Sequence, residues 1–478
     1  MTYVANTVPA GRPTSISSEH KQHDEKRLNS DSNLKNVPTL TPEQERRLWR
    51  KVDLRLGPIL SLMFLMSFLD RGNIGNAKLD GLVTQLDLTG NKFNIALTMF
   101  FIPYCLCECP AKFAITLTWG IVIYPQLVAV RACLGIAEAG LFPGVIYYLT
   151  FWYPRHMLQY RIGMFFGAAT SAGAFSGLLA FAINHMSGTA GLEGWSWIFL
   201  LEGLATIVIA IIAPFVMVDF PDTAKFLTPE ERAFIVWKKK YDNSSVGEEE
   251  RFAVRYVWAA FGDWKVWLHI PLFMSIAGPL NGITLFLPFG YSTSISQLLT
   301  VPPYVAATIT LVIFGYYSDK LKMRYPFILA GLVMCLIGFS INISTAPDGV
   351  KYFGTFLIVM GSYAELPGVV SWLSNNLSGQ YKRGAGMGLL GLGNFSGAIA
   401  SVIYRSQDSP RFILGHALEL MFVGIGFITL PILVFLYKRV NAQREAERLA
   451  MESGEGLQYS DEELRELGDR APDFRYTL

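Results

Sequence analysis

Asp70 and Arg71 stand side by side in the stretch "SFLDRGNIGNAKL", directly after fourteen uncharged, mostly apolar residues from Leu56 to Leu69. Arg131 and Glu138 are the only Asp, Glu, Lys or Arg in the 42 residues from Phe113 to Pro154. A charge in a bilayer core costs about 3 kcal/mol or more unless it is paired or wet, so such residues mark functional sites by default. A guanidinium stays protonated and presents a planar fork suited to a carboxylate, which makes Arg71 and Arg131 candidates for binding an anionic substrate. Burial disfavours a charged carboxyl, so Asp70 and Glu138 are candidates for carrying protons. Seven positions apart on a helix, Arg131 and Glu138 share a face about 10 Å apart. With a first helix beginning near Arg55, Asp70 lies about 22 Å along it, level with Arg131 in the outer half of the membrane. Asp70 and Arg131 are therefore expected to pair, with Glu138 deeper. Two plainer readings are a helix that ends at Asp70 and a static Arg131–Glu138 pair that fixes packing.

Weaker candidates follow the same logic. Asn73, Asn281, Tyr363 and Asn394 are assigned to substrate binding, although buried amides in membrane helices often serve only as interhelical hydrogen bonds. Glu365 is a third proton-coupling candidate, the lone charge in the middle of its span. Glu108, beside Pro110, reads as structural, as do His185 and His416.

These residues need a membrane scaffold, and the composition supplies one. Of 478 residues, 51% are hydrophobic and only 16% charged, and the mean hydropathy is +0.34. Windows of roughly 20 apolar residues suffice for a crossing. They predict spans near 55–77, 93–111, 113–124, 125–150, 160–185 and 197–218, then 265–289, 297–317, 326–345, 351–376, 383–404 and 413–437. The expected fold is all-α, with twelve transmembrane helices in two six-helix halves, 41–218 and 265–437. A polar loop, 219–264, joins them, with a disordered tail, 1–40, before and a tail, 438–478, after. "TPEQERRLWRKVDLRL" from Thr41 reads as a capped, charged helix leading into the first span. Spans two and three share only residues 93–124, fewer than the ~40 that two crossings need.

Lys and Arg collect before span one and after spans four, eight, ten and twelve, and also in the central loop. Twelve crossings put all of them on one face, so both termini are expected in the cytosol of a plasma-membrane protein. No cleavable signal peptide opens the chain. A net charge of +2 spread over short clusters excludes a nucleic-acid partner. The five cysteines lie in apolar runs without a metal-ligand pattern, and no nucleophile, phosphate-loop, zinc or dinucleotide motif stands in a supporting context. The chain is therefore read as no enzyme, with no cofactor.

The halves repeat. Pro143-Gly144-Val145 matches Pro367-Gly368-Val369, Arg161 matches Arg383, Met164 matches Met387, and Gly173 and Gly177 match Gly393 and Gly397, at offsets of 220 to 224 residues. Duplicated six-helix units are a common transporter plan, with the substrate site near the midplane between halves. Small-xxx-small spacings in spans five and eleven allow close helix packing.

"SFLDRGNIGNAKLDGL", "GIAEAGLFPGVIYYLTFWYPR", "FPDTAKFLTPEER", "SWLSNNLSGQYKRG", "YRSQDSPRFILGHALEL" and "GDRAPDFRYTL" resemble fungal members of the anion:cation symporter family of the major facilitator superfamily, in the allantoate and nicotinate permease group. The resemblance implies proton-driven uptake of a small organic anion, with the proton gradient as the energy source. Asp70, Arg71, Arg131 and Glu138 match charged positions of that family. In related bacterial sugar-acid carriers, the arginine at the Arg71 position takes the substrate carboxylate and the acid at the Glu138 position takes the proton. Relatives carry a basic loop between spans two and three, which only Lys112 represents here. A non-transporting sensor or a defunct carrier of the same fold is the alternative.

Overall fold

The computed structural model describes residues 40–88, 90–107, 124–218, 220–240, 254–286, 293–404, 408, 412–453, 459–460, 463–464 and 467–478. The tail before Leu40, Glu108, nearly all of the expected third span and most of the "LFLPFGYSTS" turn lie outside them. Among the described residues, ten helical segments are long and apolar enough to cross a membrane.

The first helix, α1 (Pro42–Ala77), begins where Thr41 and Gln44 cap each other: the Gln44 amide donates to the Thr41 hydroxyl at 3.3 Å, and the Thr41 amide to the Gln44 side chain at 2.9 Å. This reciprocal cap satisfies two amides that have no intrahelical partner. The charged leader and the first span are one continuous helix, so Asp70 lies within it and not at its end. The helix breaks only after Ala77, in a turn where Gly81 takes φ +99°, a conformation that favours glycine.

The other helices are α2 (Lys92–Cys107), α3 (Tyr124–Glu138), α4 (Leu141–Trp152), α5 (Leu158–Asn184), α6 (Gly194–Val216), the short α7 (Pro229–Lys240) and α8 (Val254–Phe261), α9 (Trp264–Phe286), α10 (Thr293–Leu321), α11 (Tyr325–Ile343), α12 (Asp348–Asn375), α13 (Gln380–Leu390), α14 (Phe395–Ile403) and α15 (Ile413–Glu452). The expected fourth span is thus two helices, α3 and α4, broken at Ala139-Gly140, and the expected eleventh is α13 and α14 joined by a 3₁₀ turn, Gly391–Asn394. At 1.5 Å per residue the described part of α2 is about 24 Å long.

Burial sorts the helices into an inner and an outer set. The spanning window of α12 is 83% buried and that of α6 only 17%. On α6, Leu204, Val208, Ile211 and Phe215 repeat at helical spacing and are exposed, the mark of a lipid-facing stripe. The halves meet along α5 and α10, where Gly163 faces Leu311 and a methyl added to Gly173 would lie 2.6 Å from the Tyr304 ring. They meet again where α14 crosses α2: a methyl on Gly397 would lie 2.5 Å from Phe101, and the Thr98 and Ser401 hydroxyls are 2.7 Å apart. The repeated small residues therefore set how closely the halves approach.

The end of the bundle at which α1 begins is rich in ion pairs, including Arg161 with Asp53 at 3.0 Å and Arg324 with Asp319 at 2.7 Å. We call it the basic end and the opposite one the far end. The stretch from Gly468 to Leu478, expected as part of a tail, packs against the basic end. Phe474 is fully buried beneath the Arg155 guanidinium at 4.3 Å, and Trp372 donates to the Thr477 carbonyl at 2.8 Å.

Candidate functional site

Adjacent residues on an α-helix point about 100° apart, so Asp70 and Arg71 cannot face the same neighbour. Arg71 turns to α3, where its guanidinium meets Glu138 at 3.3 Å, both side chains nearly buried. Asp70 turns to α6, where the Thr206 hydroxyl donates to it at 3.0 Å. Asn73, three positions on, shares that second face and lies beside Glu202. The expected Asp70–Arg131 pair does not form; the ion pair belongs to Arg71 and Glu138. Arg131 is buried within electrostatic reach of Glu138, Asp70 and Arg71, and its Nη2 has no hydrogen-bond partner among the described residues. α3 ends at Glu138, and this places that carboxyl at the break before α4.

Aromatic rings hold Arg71 in place. Its guanidinium carbon lies 5.5, 5.1 and 4.8 Å from the ring centres of Phe68, Phe100 and Tyr104. Each such contact contributes about 0.5–2 kcal/mol in desolvated surroundings. The α2–α3 contact that builds this cage needs a glycine: a Cβ on Gly135 would lie 2.2 Å from the Phe100 carbonyl oxygen. Backbone cannot rotate away as a side chain can. Gly135→Ala should therefore lower the yield and melting temperature of the folded protein in detergent, measured by size exclusion and thermal unfolding. Gly72→Ala, where a methyl meets nothing within 4 Å, should leave both unchanged or slightly raised.

Arg71 reaches a small cavity of about 30 Å³ between the halves, lined by Phe64 and Phe68 from the first half and by Phe273, Asn281 and Asn394 from the second. That is room for one or two waters, against the ~300–1,000 Å³ of a ligand-filled pocket. Asn281 donates to the Ala277 carbonyl of its own helix at 2.7 Å, whereas Nδ2 of Asn394 has no hydrogen-bond partner among the described residues. Tyr363 stands behind the cavity, fully buried, with its ring 6.2 Å from Phe68 and 5.6 Å from Tyr304.

Glu365 does not join this group. Its carboxyl turns away toward α11, where a methyl on Gly331 would lie 2.8 Å from Oε2. Two residues belong to the charged layer or its surroundings but were not singled out from the sequence. Tyr104 carries no signal that separates it from other aromatic residues. Glu202 does: it is the only charged side chain in Gly194–Val216, the same mark that identified Glu365.

A model of the Major Facilitator Superfamily matches residues 109–402, more than half of the chain. An uncharacterized transporter of Schizosaccharomyces pombe is 32% identical over 466 residues, covering 92% of this chain and 91% of its own length. The MFS-type transporter cnsO of Penicillium expansum is 34% identical, covering 91% and 90%. The high-affinity nicotinic acid transporter of Saccharomyces cerevisiae is 31% identical, covering 92% and 86%. With two helical halves meeting around a small cavity, and with relatives of this extent, the chain belongs to the major facilitator superfamily and is an integral, multi-pass membrane transporter, not an enzyme.

Proposed function

We propose that the protein is a proton-coupled carrier of a small organic anion, with Arg71 as the anchor for the substrate carboxylate. The observation that carries this reading is an arginine that lines the cavity between the halves while a carboxylate, Glu138, holds its guanidinium from the side. A substrate carboxylate entering the cavity competes with Glu138 for the same fork. Asn394 and Asn281 stand across the cavity as donors for the rest of the substrate, and Tyr363 supports the wall.

Charge balance supports the proton. The buried layer holds three acids, Asp70, Glu138 and Glu202, against two bases, Arg71 and Arg131. An incoming anion adds one more negative charge, and two like charges 4 Å apart repel by about 4 kcal/mol at an effective dielectric of 20. One proton offsets the charge that the substrate adds. Glu138, displaced from Arg71 as the substrate arrives, is the acceptor this arrangement favours, with Asp70 as a second station. The collection of Lys and Arg at the basic end supports a cytosolic placement of that end, and so uptake from the far end across the plasma membrane.

The likeness to a nicotinic acid transporter makes nicotinate the first substrate to try. Cells lacking their own uptake and expressing this chain should accumulate labelled nicotinate faster as the external pH falls, with competition by other small carboxylates. Binding without net flux would instead mark a sensor. Glu138→Gln should keep saturable nicotinate binding but flatten the pH dependence, because the amide occupies the same space and takes no proton. A pH profile unchanged from the parent would remove Glu138 from the coupling step.

A further inference from the structure

Away from the helix ends, the second half contains only two charged residues inside its spans, and both are acids: Glu365 on α12 and Glu419 on α15. Each is at most 1% exposed, and neither oxygen of either carboxyl has a hydrogen-bond partner among the described residues. Glycines make room for both. A Cβ on Gly282 of α9 would lie 2.3 Å from Oε1 of Glu419 and one on Gly278 would lie 3.1 Å from Oε2, while Gly331 of α11 makes the corresponding space for Glu365. Cys335 on α11, fully buried, is within electrostatic reach of both carboxyls. Toward the far end the polar line continues: Glu419 acts on Tyr404, and the Tyr404 hydroxyl is 3.2 Å from Nδ1 of His416. His416 is half-buried and faces Lys351 near the start of α12.

An ionised carboxylate in apolar surroundings without a donor is too costly to hold, so these two sites are built for carboxyls that carry a proton. A sodium or calcium ion would need six or so oxygen ligands, by the usual count of roughly 6–8 for calcium. No group of three His, Cys, Asp or Glu among the described residues could hold a metal.

We propose that Glu419 and Glu365 are proton-binding stations of the second half, Glu419 being loaded from the far end through His416 and Tyr404. In the loading step the Tyr404 hydroxyl, which here faces His416, turns to Glu419: it gives its hydroxyl proton to the Glu419 carboxylate and takes one from the His416 imidazolium. One proton moves inward, and nothing is oxidised or reduced. The role of these protons in transport rests on the proton-coupled reading above; the binding of protons at these carboxyls does not.

Dicyclohexylcarbodiimide, which reacts with protonated carboxyls in apolar sites, separates the two. Applied to the full chain in lipid vesicles, with no substrate present, it should modify Glu419 and Glu365 at neutral pH and progressively less as the pH rises, read by mass spectrometry of the peptides. Glu138, held by Arg71, should stay unmodified. In the uptake assay, Glu419→Gln should lose accumulation of labelled nicotinate against its gradient. Absence of modification at Glu419 at every pH, or wild-type accumulation by Glu419→Gln, would overturn the proposal. If the unaltered chain carries no nicotinate, the substrate assignment falls, and the carbodiimide pattern alone decides for or against the proton sites.

Discussion

Arg71→Ala is expected to abolish saturable, pH-dependent uptake of the transported anion. A charge-assisted bond to a carboxylate is worth about 1.5–3 kcal/mol, so losing the fork weakens binding on the order of ten- to a hundredfold. The substitution also strips Glu138 of the only side chain among the described residues that forms an ion pair with it. Breaking a buried pair by removing one partner costs about 3–5 kcal/mol, so a drop in stability accompanies the loss of transport. Arg71→Lys separates the two effects. It keeps the charge and much of the stability but not the planar two-pronged contact, and should bind more weakly than the parent while folding nearly as well. Competition binding on purified protein, read beside thermal unfolding, checks both. Parent-like uptake by Arg71→Ala would leave the cavity without its anchor.

A stability loss as large as that of Arg71→Ala is expected at Asp469→Asn, far from the cavity. At the basic end Lys382 reaches Asp469 at 2.8 Å and Asp263 at 2.6 Å, and Lys265 reaches the same two acids, all four side chains nearly buried. Two bases balance two acids. The asparagine leaves one buried positive charge unmatched, at about 3–5 kcal/mol. Burial alone would push the Asp469 carboxyl up, but Lys265 and Lys382 outweigh it and hold the group below the usual aspartate range. A depressed folded-state value means that the stabilisation is fully present above the unfolded value of about 3.9 and is lost as the pH falls through the folded one. The difference between parent and Asp469→Asn should thus be greatest at neutral pH and close in acid. Chemical unfolding of both proteins across that range measures it. The same contact anchors the stretch that carries Phe474 beneath Arg155, so the variant should also loosen residues 467–478, visible as faster amide exchange there.

Much of this protein can be read from single residues. The apolar windows and the glycine and proline repeats name a two-half membrane bundle, because a bilayer allows few other structures and helical length is set by its thickness. The lone charges in those windows mark Asp70, Arg71, Arg131, Glu138 and Glu365, since each is costly unless it has a task. Applied to every span, the same rule also reaches Glu202 and Glu419. The Thr41 cap is local and is legible for that reason.

Pairing was not legible. A depth estimate sets Asp70 level with Arg131, but depth is one coordinate, and the rotation of α1 about its own axis is another. Packing against α3 and α6 fixes that rotation, turning Arg71 toward Glu138 and Asp70 toward Thr206. The rotation of α12 likewise takes Glu365 away from the cavity and toward Gly331, although it lies only two residues from Tyr363. The docking of Gly468 to Leu478 depends on two lysines, Lys265 and Lys382, more than a hundred positions apart in the chain. The sequence by itself determined which residues carry charge into the membrane and that apolar helices carry them. Only the tertiary structure decided which charges meet, because a helix's rotation is set by its neighbours' side chains and not by its own.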